Sequence, residues 1–388
     1  LFAIIGNKVN TITDGIIENG VILVEDGKIK AIGPDIKIPD GVKPLKAKYV
    51  MPGLVEAHCH IGIWEEKIGW AGSDGNESTN PATPHVRAID GIKANADEGG
   101  LKAALHEGIT TAQILPGSAN VIGGFGVVIK TAPKTTSDQM ILRNPSGMKI
   151  AFGENPMRNY GVEKKVMPST RMGVAGILRE QLQKTKNYME KKEIFADNPE
   201  KKPEVDLRLE ALIPVLKKEI PFRAHAHRAD DVATAIRICK EFDVEMSWEH
   251  ATEGHRIADY IAENKVPAVW GPSLTARPKW EMRELSYDTP RIMYEAGVKF
   301  SIMTDATGST ISFLPICAAL SVKEGLPYDY ALKAITIIPA EIIGVADRVG
   351  SLEVGKDADL RLLSGEPLEY MTKCQTVIID GVVVHSLD

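Results

Sequence analysis

Short apolar runs recur through the middle of the chain, and a helical pattern follows most of them. The runs span 49–60, 110–115, 126–130, 148–153, 222–227, 244–250, 267–270 and 299–304. Apolar positions at helical spacing occupy 86–106, 170–195, 207–219, 231–242, 256–264, a stretch ending at 297, and 331–344. Strands alternating with helices predict an α/β fold with a parallel sheet. Eight strands are the number that closes a (β/α)8 TIM barrel. A doubly wound open sheet is the alternative, and the lack of a GxGxxG after an early strand speaks against it.

The two ends differ from the middle. Val21-Ile22-Leu23-Val24 and Ile29-Lys30-Ala31-Ile32 are β-type runs separated by turn residues, and the segments from Ala358 and Thr376 repeat that style around Asp380-Gly381. Neither end has enough strands for its own core. Together they predict one small β-sandwich domain formed by both chain termini, residues 1–50 and 346–388, flanking a barrel at 51–345. A chain of 388 residues accommodates a barrel of about 250 with this remainder.

Composition narrows the setting. A net charge of -6 argues against nucleic acid or an anionic membrane as the main partner. No apolar run approaches the roughly 20 residues of a membrane span. The four cysteines form no CxxC pair, which fits a reducing, cytoplasmic environment. A small-molecule substrate is the expected partner, and self-association into a homo-oligomer is left open.

The candidate chemistry lies at strand ends. In a strand, residues i and i+2 face one side, so His58 and His60 point together at the end of the first barrel run. Alone, HxH is a weak signal. Yet His225 and His227 close the fifth run, His250 the sixth and Asp305 the eighth. A barrel makes such ends converge, giving the N and O donors that zinc and similar metals prefer.

Met51-Pro52-Gly53-Leu54-Val55-Glu56-Ala57-His58-Cys59-His60 resembles the opening motif of the amidohydrolase superfamily, and Gly355-Lys356-Asp357-Ala358-Asp359-Leu360 resembles its closing segment. Residues 83–90 and 116–124 are similar to the imidazolonepropionase-related subgroup. The resemblance implies a divalent metal, zinc foremost, with two ions per chain. It implies that His58, His60 and Asp305 hold the more buried metal and that His225 and His250 hold the other. His227 is then either a group that polarises substrate or a polar residue outside the ligand set. Asp305 would serve as proton acceptor and donor.

Binuclear family members often carry a bridging carboxylated lysine at the fourth strand end. Here that run ends in Glu154, whereas Lys149 lies five residues earlier, on the opposite face and some 16 Å away at about 3.3 Å per residue. Glu154 is therefore the expected bridge. A mononuclear site is the alternative, and Lys130 is a further bridge candidate. Arg158, Tyr160 and Trp64 are candidate substrate contacts. The expected reaction is metal-dependent hydrolysis of an amide-like C–N bond, linear or cyclic and including dipeptide-like substrates, with deamination of a heterocycle on a mononuclear site as the alternative.

Overall fold

The computed structural model describes residues 1–66, 68–94 and 99–387. Its strands in chain order begin with β1 (Phe2–Asn10), β2 (Ile16–Glu25), β3 (Lys28–Gly33) and β4 (Leu45–Pro52). There follow β5 (Leu54–Cys59), β6 (Ile109–Ile114), β7 (Ile122–Lys130), β8 (Ile141–Ala151), β9 (Phe222–Ala226), β10 (Met246–His250), β11 (Ala268–Trp270) and β12 (Phe300–Ile302). The last are β13 (Leu360–Leu363), β14 (Cys374–Ile379) and β15 (Val382–Ser386). None of the described helices is long and apolar enough to cross a membrane.

The eight strands β5 to β12 form one sheet in sequential order, the barrel of an α/β fold. No ladder joins β12 to β5 among the described residues. That seam is held by other bonds: Val55 N to Ile335 O at 3.0 Å, and Ile302 N to Ala334 O at 2.9 Å. Glu56 adds a stitch, its Oε2 accepting from Thr304 N and Oγ1 at 2.9 and 2.6 Å.

The seven remaining strands pair as β15-β14-β13-β4-β1-β2-β3, so both termini build one sheet. The sheet curls until Gly27 and Ile29 bond Ala358, Gly355 and Lys356, which closes it into a sandwich-like unit over an apolar cluster that includes Ile4, Ile22, Val50 and Leu360.

Several sequence expectations are corrected. The run 49–60 is not one strand: β4 belongs to the terminal sheet and β5 to the barrel. Pro52 fixes φ and offers no N–H. A Cβ on Gly53 would lie 2.1 Å from Thr110 Oγ1, so a glycine is needed where the chain crosses from one sheet to the other.

The barrel sheet is not wholly parallel either, because β7 runs antiparallel to β6 and β8. A parallel crossover needs a dozen or more residues, usually with a helix, and the 115–121 loop is too short. Lys130 consequently ends at the mouth opposite the histidines. There its Nζ donates to Asp357, Asp359 and Asp380 at 2.8, 2.7 and 2.9 Å. It is an anchor between barrel and terminal sheet, not a bridge. The expected helix over 86–106 is also shorter. A 3₁₀ turn covers Ala88–Gly91 and a helix covers Gly100–His106, while residues 95–98 fall outside the described ones. The helix Leu314–Lys323, which the apolar pattern did not predict, precedes Tyr328–Lys333 and Ile337–Ile343.

Candidate metal centre

Strand alternation sorts the barrel into an apolar outer face and a polar interior. On β9, Phe222, Ala224 and Ala226 join the core shared with the helices, whereas Arg223 and His225 carry the polar atoms of the interior. On β10, Met246 and Trp248 do the same, and Ser247 and Glu249 are the inward pair. On β8, Met148 and Ile150 pack outward, and Lys149 shares a face with Ala151, which is in register with His225.

Two groups of ligand-type side chains result: His58, His60 and Asp305 in one, and His225, His227 and His250 in the other. Within each group the donor atoms lie within 4.8 Å of one another. The groups adjoin, since the His58 and His250 ring centroids are 5.1 Å apart and those of His225 and His250 are 4.2 Å apart. His250 and Asp305 have φ of 81° and 54°, uncommon for residues with a side chain and a small store of strain at the site.

The far nitrogens of the rings are tied down. His58 Nδ1 donates to Glu249 Oε2 at 2.8 Å, and that carboxylate also accepts from Ser247 Oγ. His60 Nδ1 donates to Leu115 O at 2.7 Å, and His250 Nδ1 to Gly271 O at 3.1 Å. Because each Nδ1 carries the proton, each Nε2 presents a lone pair, the arrangement that metal-binding histidines require. His58 Nε2 and His60 Nε2 lie 3.5 and 3.3 Å from Asp305 Oδ1.

Electrostatics agree with neutral imidazoles. Burial pushes His58 well below its ordinary range, with Lys149 adding to the effect. Burial also lowers His225, His227 and His250, followed by neighbouring histidines for the first and last and by Lys279 for His227. Burial acts to raise Asp305, but His60 and His58 beside its Oδ1, with the Lys149 ammonium, bring it down to about 2.

The donor set fits divalent cations. His225 Nδ1, His250 Nε2 and Asp305 Oδ1 are buried without a hydrogen-bond partner among the described residues. Buried polar atoms without partners are costly, so three at one place mark donors arranged for something outside the protein.

Glu154, the bridge expected from sequence, is not brought into either ligand group. Glu154 lies past the end of β8 and belongs to neither group; its Oε1 accepts from Glu281 N at 3.1 Å, and Glu281 Oε2 accepts from Glu154 N at 2.8 Å. Lys149 stands at the centre instead, with Nζ 3.1 Å from His58 Nε2. Counting residues to the strand end misjudged it, because a long side chain rising along the barrel axis reaches the ligand layer from two residues below. Burial lowers its ammonium to about 8.

The substrate candidates fare unequally. Trp64 packs edge-on to His60 at 4.8 Å and donates its Nε1–H to Ser73 Oγ, which places it beside the centre. Arg158 is mostly exposed and pairs with Glu163 at 3.3 Å. Tyr160 is buried and donates its hydroxyl to Asn120 Oδ1 at 2.6 Å, holding two loops together. Sequence reasoning missed Glu56, whose inward parity with His58 on β5 was the available signal, Glu249, which adjoins His250 at the end of β10, and Lys279, for which there was no signal.

Comparisons with known proteins agree with this architecture. A model of the amidohydrolase family matches residues 222–384. The crystal structure of an amidohydrolase from Thermotoga maritima MSB8 is 42% identical, covers 100% of both chains and superposes with a TM-score of 0.95. The amidohydrolase tasK of Hapsidospora irregularis is 27% identical over 402 residues, 95% of this chain, which spans only 39% of that relative's length. An imidazolonepropionase of Maricaulis maris (strain MCS10) is 23% identical over 372 residues, covering 90% of this chain and 88% of that relative. The full-length likeness to the Thermotoga protein, on a barrel whose strand ends gather these histidines and Asp305, shows that the chain belongs to the amidohydrolase superfamily, in its imidazolonepropionase-related branch.

Proposed function

We propose that this protein is a metal-dependent hydrolase of amide-like C–N bonds, holding two divalent ions, zinc foremost, in adjoining sites. The observation that carries the reading is the pairing of two ligand groups with three orphaned donor atoms at their centre. His58, His60 and Asp305 would hold one ion, and His225 and His250 the other. Lys149, rather than Glu154, would stand between them as the carboxylated bridge that the family resemblance implies. When bound, the cations lower the pKa of water and polarise a carbonyl oxygen.

The chain's own groups supply the rest. Asp305 is kept ionised, its Oδ1 buried beside His58 and His60 while the side chain as a whole retains 25% exposure toward the mouth. It takes a proton from the attacking water and delivers one to the leaving nitrogen, a role that needs reach as well as pKa. His227, fixed through Nδ1 to Thr252 Oγ1 at 2.8 Å, presents Nε2 toward the substrate side. Trp64 excludes water beside His60. A cytoplasmic location goes with this reading, supported by four buried, unpaired cysteines.

The test is metal content per chain alongside turnover of a panel of linear and cyclic amides, with released amine separated from ammonia. The reading expects chelation to abolish amide cleavage and a divalent metal to restore it. Cleavage that persists in metal-depleted protein would overturn it, and ammonia released from a heterocycle without amide or ring cleavage would turn it toward deamination.

A further inference from the structure

Four of the five clustered histidines are held through Nδ1. His58 uses Glu249, His60 uses Leu115 O, His250 uses Gly271 O, and His227 uses Thr252 Oγ1. His225 is the exception. Its Nδ1 is buried with no partner among the described residues, and its Nε2 has the neighbour instead, the end of the Asn155 amide at 3.4 Å. The same end of that amide meets the Ser118 hydroxyl at 2.6 Å.

Both residues are set in place by the chain around them. Asn155 follows Glu154, whose exchange of bonds with Glu281 fixes this segment. Phe152 N also donates to His225 O at 2.9 Å, which brings the end of β8 beside the ring. Ser118 is flanked by two anchors: Gly117 N donates to Gly75 O at 2.7 Å, and Ala119 N donates to Asn76 Oδ1 at 3.0 Å. Two fixed loops therefore meet at this amide.

Which end of the amide faces them decides the chemistry, since a half-turn about Cβ–Cγ exchanges oxygen and nitrogen. With nitrogen there, His225 Nε2 must accept, and the ring proton sits on Nδ1, buried and unpaired at a cost. With oxygen there, the amide accepts from the Ser118 hydroxyl and from His225 Nε2–H together. The 2.6 Å separation from Ser118 suits an O–H···O bond and is short for N–H···O. Nδ1 then carries a lone pair, as a cation requires.

We infer that Asn155 and Ser118 are the positioning pair of His225: the amide turns its oxygen to Ser118 and to His225 Nε2, and so makes Nδ1 the metal-facing atom of this one histidine. Ser118 acts through Asn155, supplying the second donor that keeps the oxygen turned inward. The inference rests on the two-ion reading for what Nδ1 meets, but the ring proton is observable without a metal.

The experiment loads the full chain with Zn²⁺ and measures each ion by competition against a chromophoric chelator, with His250→Ala marking the step that belongs to the His225 ion. Asn155→Asp keeps an acceptor and should hold that ion at least as tightly as wild type. Asn155→Leu, similar in size but without a polar atom, should weaken it by about 10–100-fold and leave the other ion within a few-fold, and Ser118→Ala should lie between. Long-range ¹H–¹⁵N spectra of histidine-labelled protein, with the His225 signals identified by His225→Gln, should show the proton on Nε2. Asn155→Asp weakening the ion as much as Asn155→Leu overturns the inference, because the amide nitrogen would then be the working end. So does equal weakening of both ions by Asn155→Leu, the mark of a merely structural residue, or no weakening at all. A ring proton on Nδ1 overturns it in any metal state. A wild type that binds one ion, with the proton on Nε2, would uphold Asn155 and overturn the two-ion reading instead. Circular dichroism of each variant confirms folding before these comparisons.

Discussion

Glu154 and Glu281 each accept the other's backbone N–H, at 3.1 and 2.8 Å, and so clasp the segment after β8 to the 271–285 loop. The residue before Glu154 makes this clasp feasible. Gly153 has φ of +84°, and a Cβ there would lie 2.4 Å from Glu281 Oε2. Gly153→Ala should therefore destabilise the fold by about 1–3 kcal/mol through backbone strain and the displaced carboxylate. Thermal unfolding would show it as a lower midpoint, with earlier proteolysis within 271–285. An unchanged midpoint would mean that the clasp contributes nothing.

Glu154 and Lys149 separate cleanly in a metal assay. Glu154→Ala should retain the metal content of the wild type, whereas Lys149→Met should lose metal and at least about 100-fold in turnover. Equal metal content in both variants would remove Lys149 from the ligand set.

Asp305→Asn keeps the shape of the side chain but not its basicity. Turnover should fall by about 10²–10⁴, the usual worth of a positioned proton-transfer group. Steady-state kinetics on the best amide of the panel would check this, and activity near wild type would exclude the assigned role.

Glu249→Gln tests the orientation of His58. The amide can still hydrogen bond but no longer stabilises the Nδ1–H form by charge, so metal affinity should drop about 10–100-fold. Competition against a chromophoric chelator gives the number directly.

The anchor at the opposite mouth predicts a pH response. For Asp357, burial acts upward, but hydrogen bonds from Lys130 and Lys28 hold the carboxyl down at about 2, below its ordinary 3.8. A depressed acid stabilises the fold above its unfolded value, and that contribution is lost as pH falls from 3.8 through about 2. Asp359 is raised by burial to about 6, so its share runs the other way: it is full below 3.8 and is lost as pH rises through about 6. Lys130→Met would leave these buried carboxylates without their shared cation, and the loss should be about 3–5 kcal/mol near neutrality. Chemical denaturation at several pH values would measure both effects.

The barrel was legible because apolar outer positions are periodic, and His58, His60, His225, His250 and Asp305 were legible because strand ends converge in such a fold. Lys149 was legible too, through its parity with Ala151, but the expectation that a ligand must sit at the strand's last residue hid it. The reversed direction of β7 was implied by a loop too short for a parallel crossover. Glu281 and Lys279 could not have been read. They lie on a loop more than a hundred residues from Glu154, and only the folded mouth brings them to their partners.

The pairing of β4 with β13 joins Pro52 to Leu360, so the N-terminal strands wait for residues more than three hundred positions later before their sheet is complete. During synthesis the inner edge of β4 stays open while the whole barrel emerges, an interval in which an unpaired edge can recruit other chains. Non-local pairing of this kind is slow to form. Loss of the last thirty or so residues would therefore act as an assembly defect, leaving Lys130 without its acidic partner Asp380 and β4 with a permanent free edge.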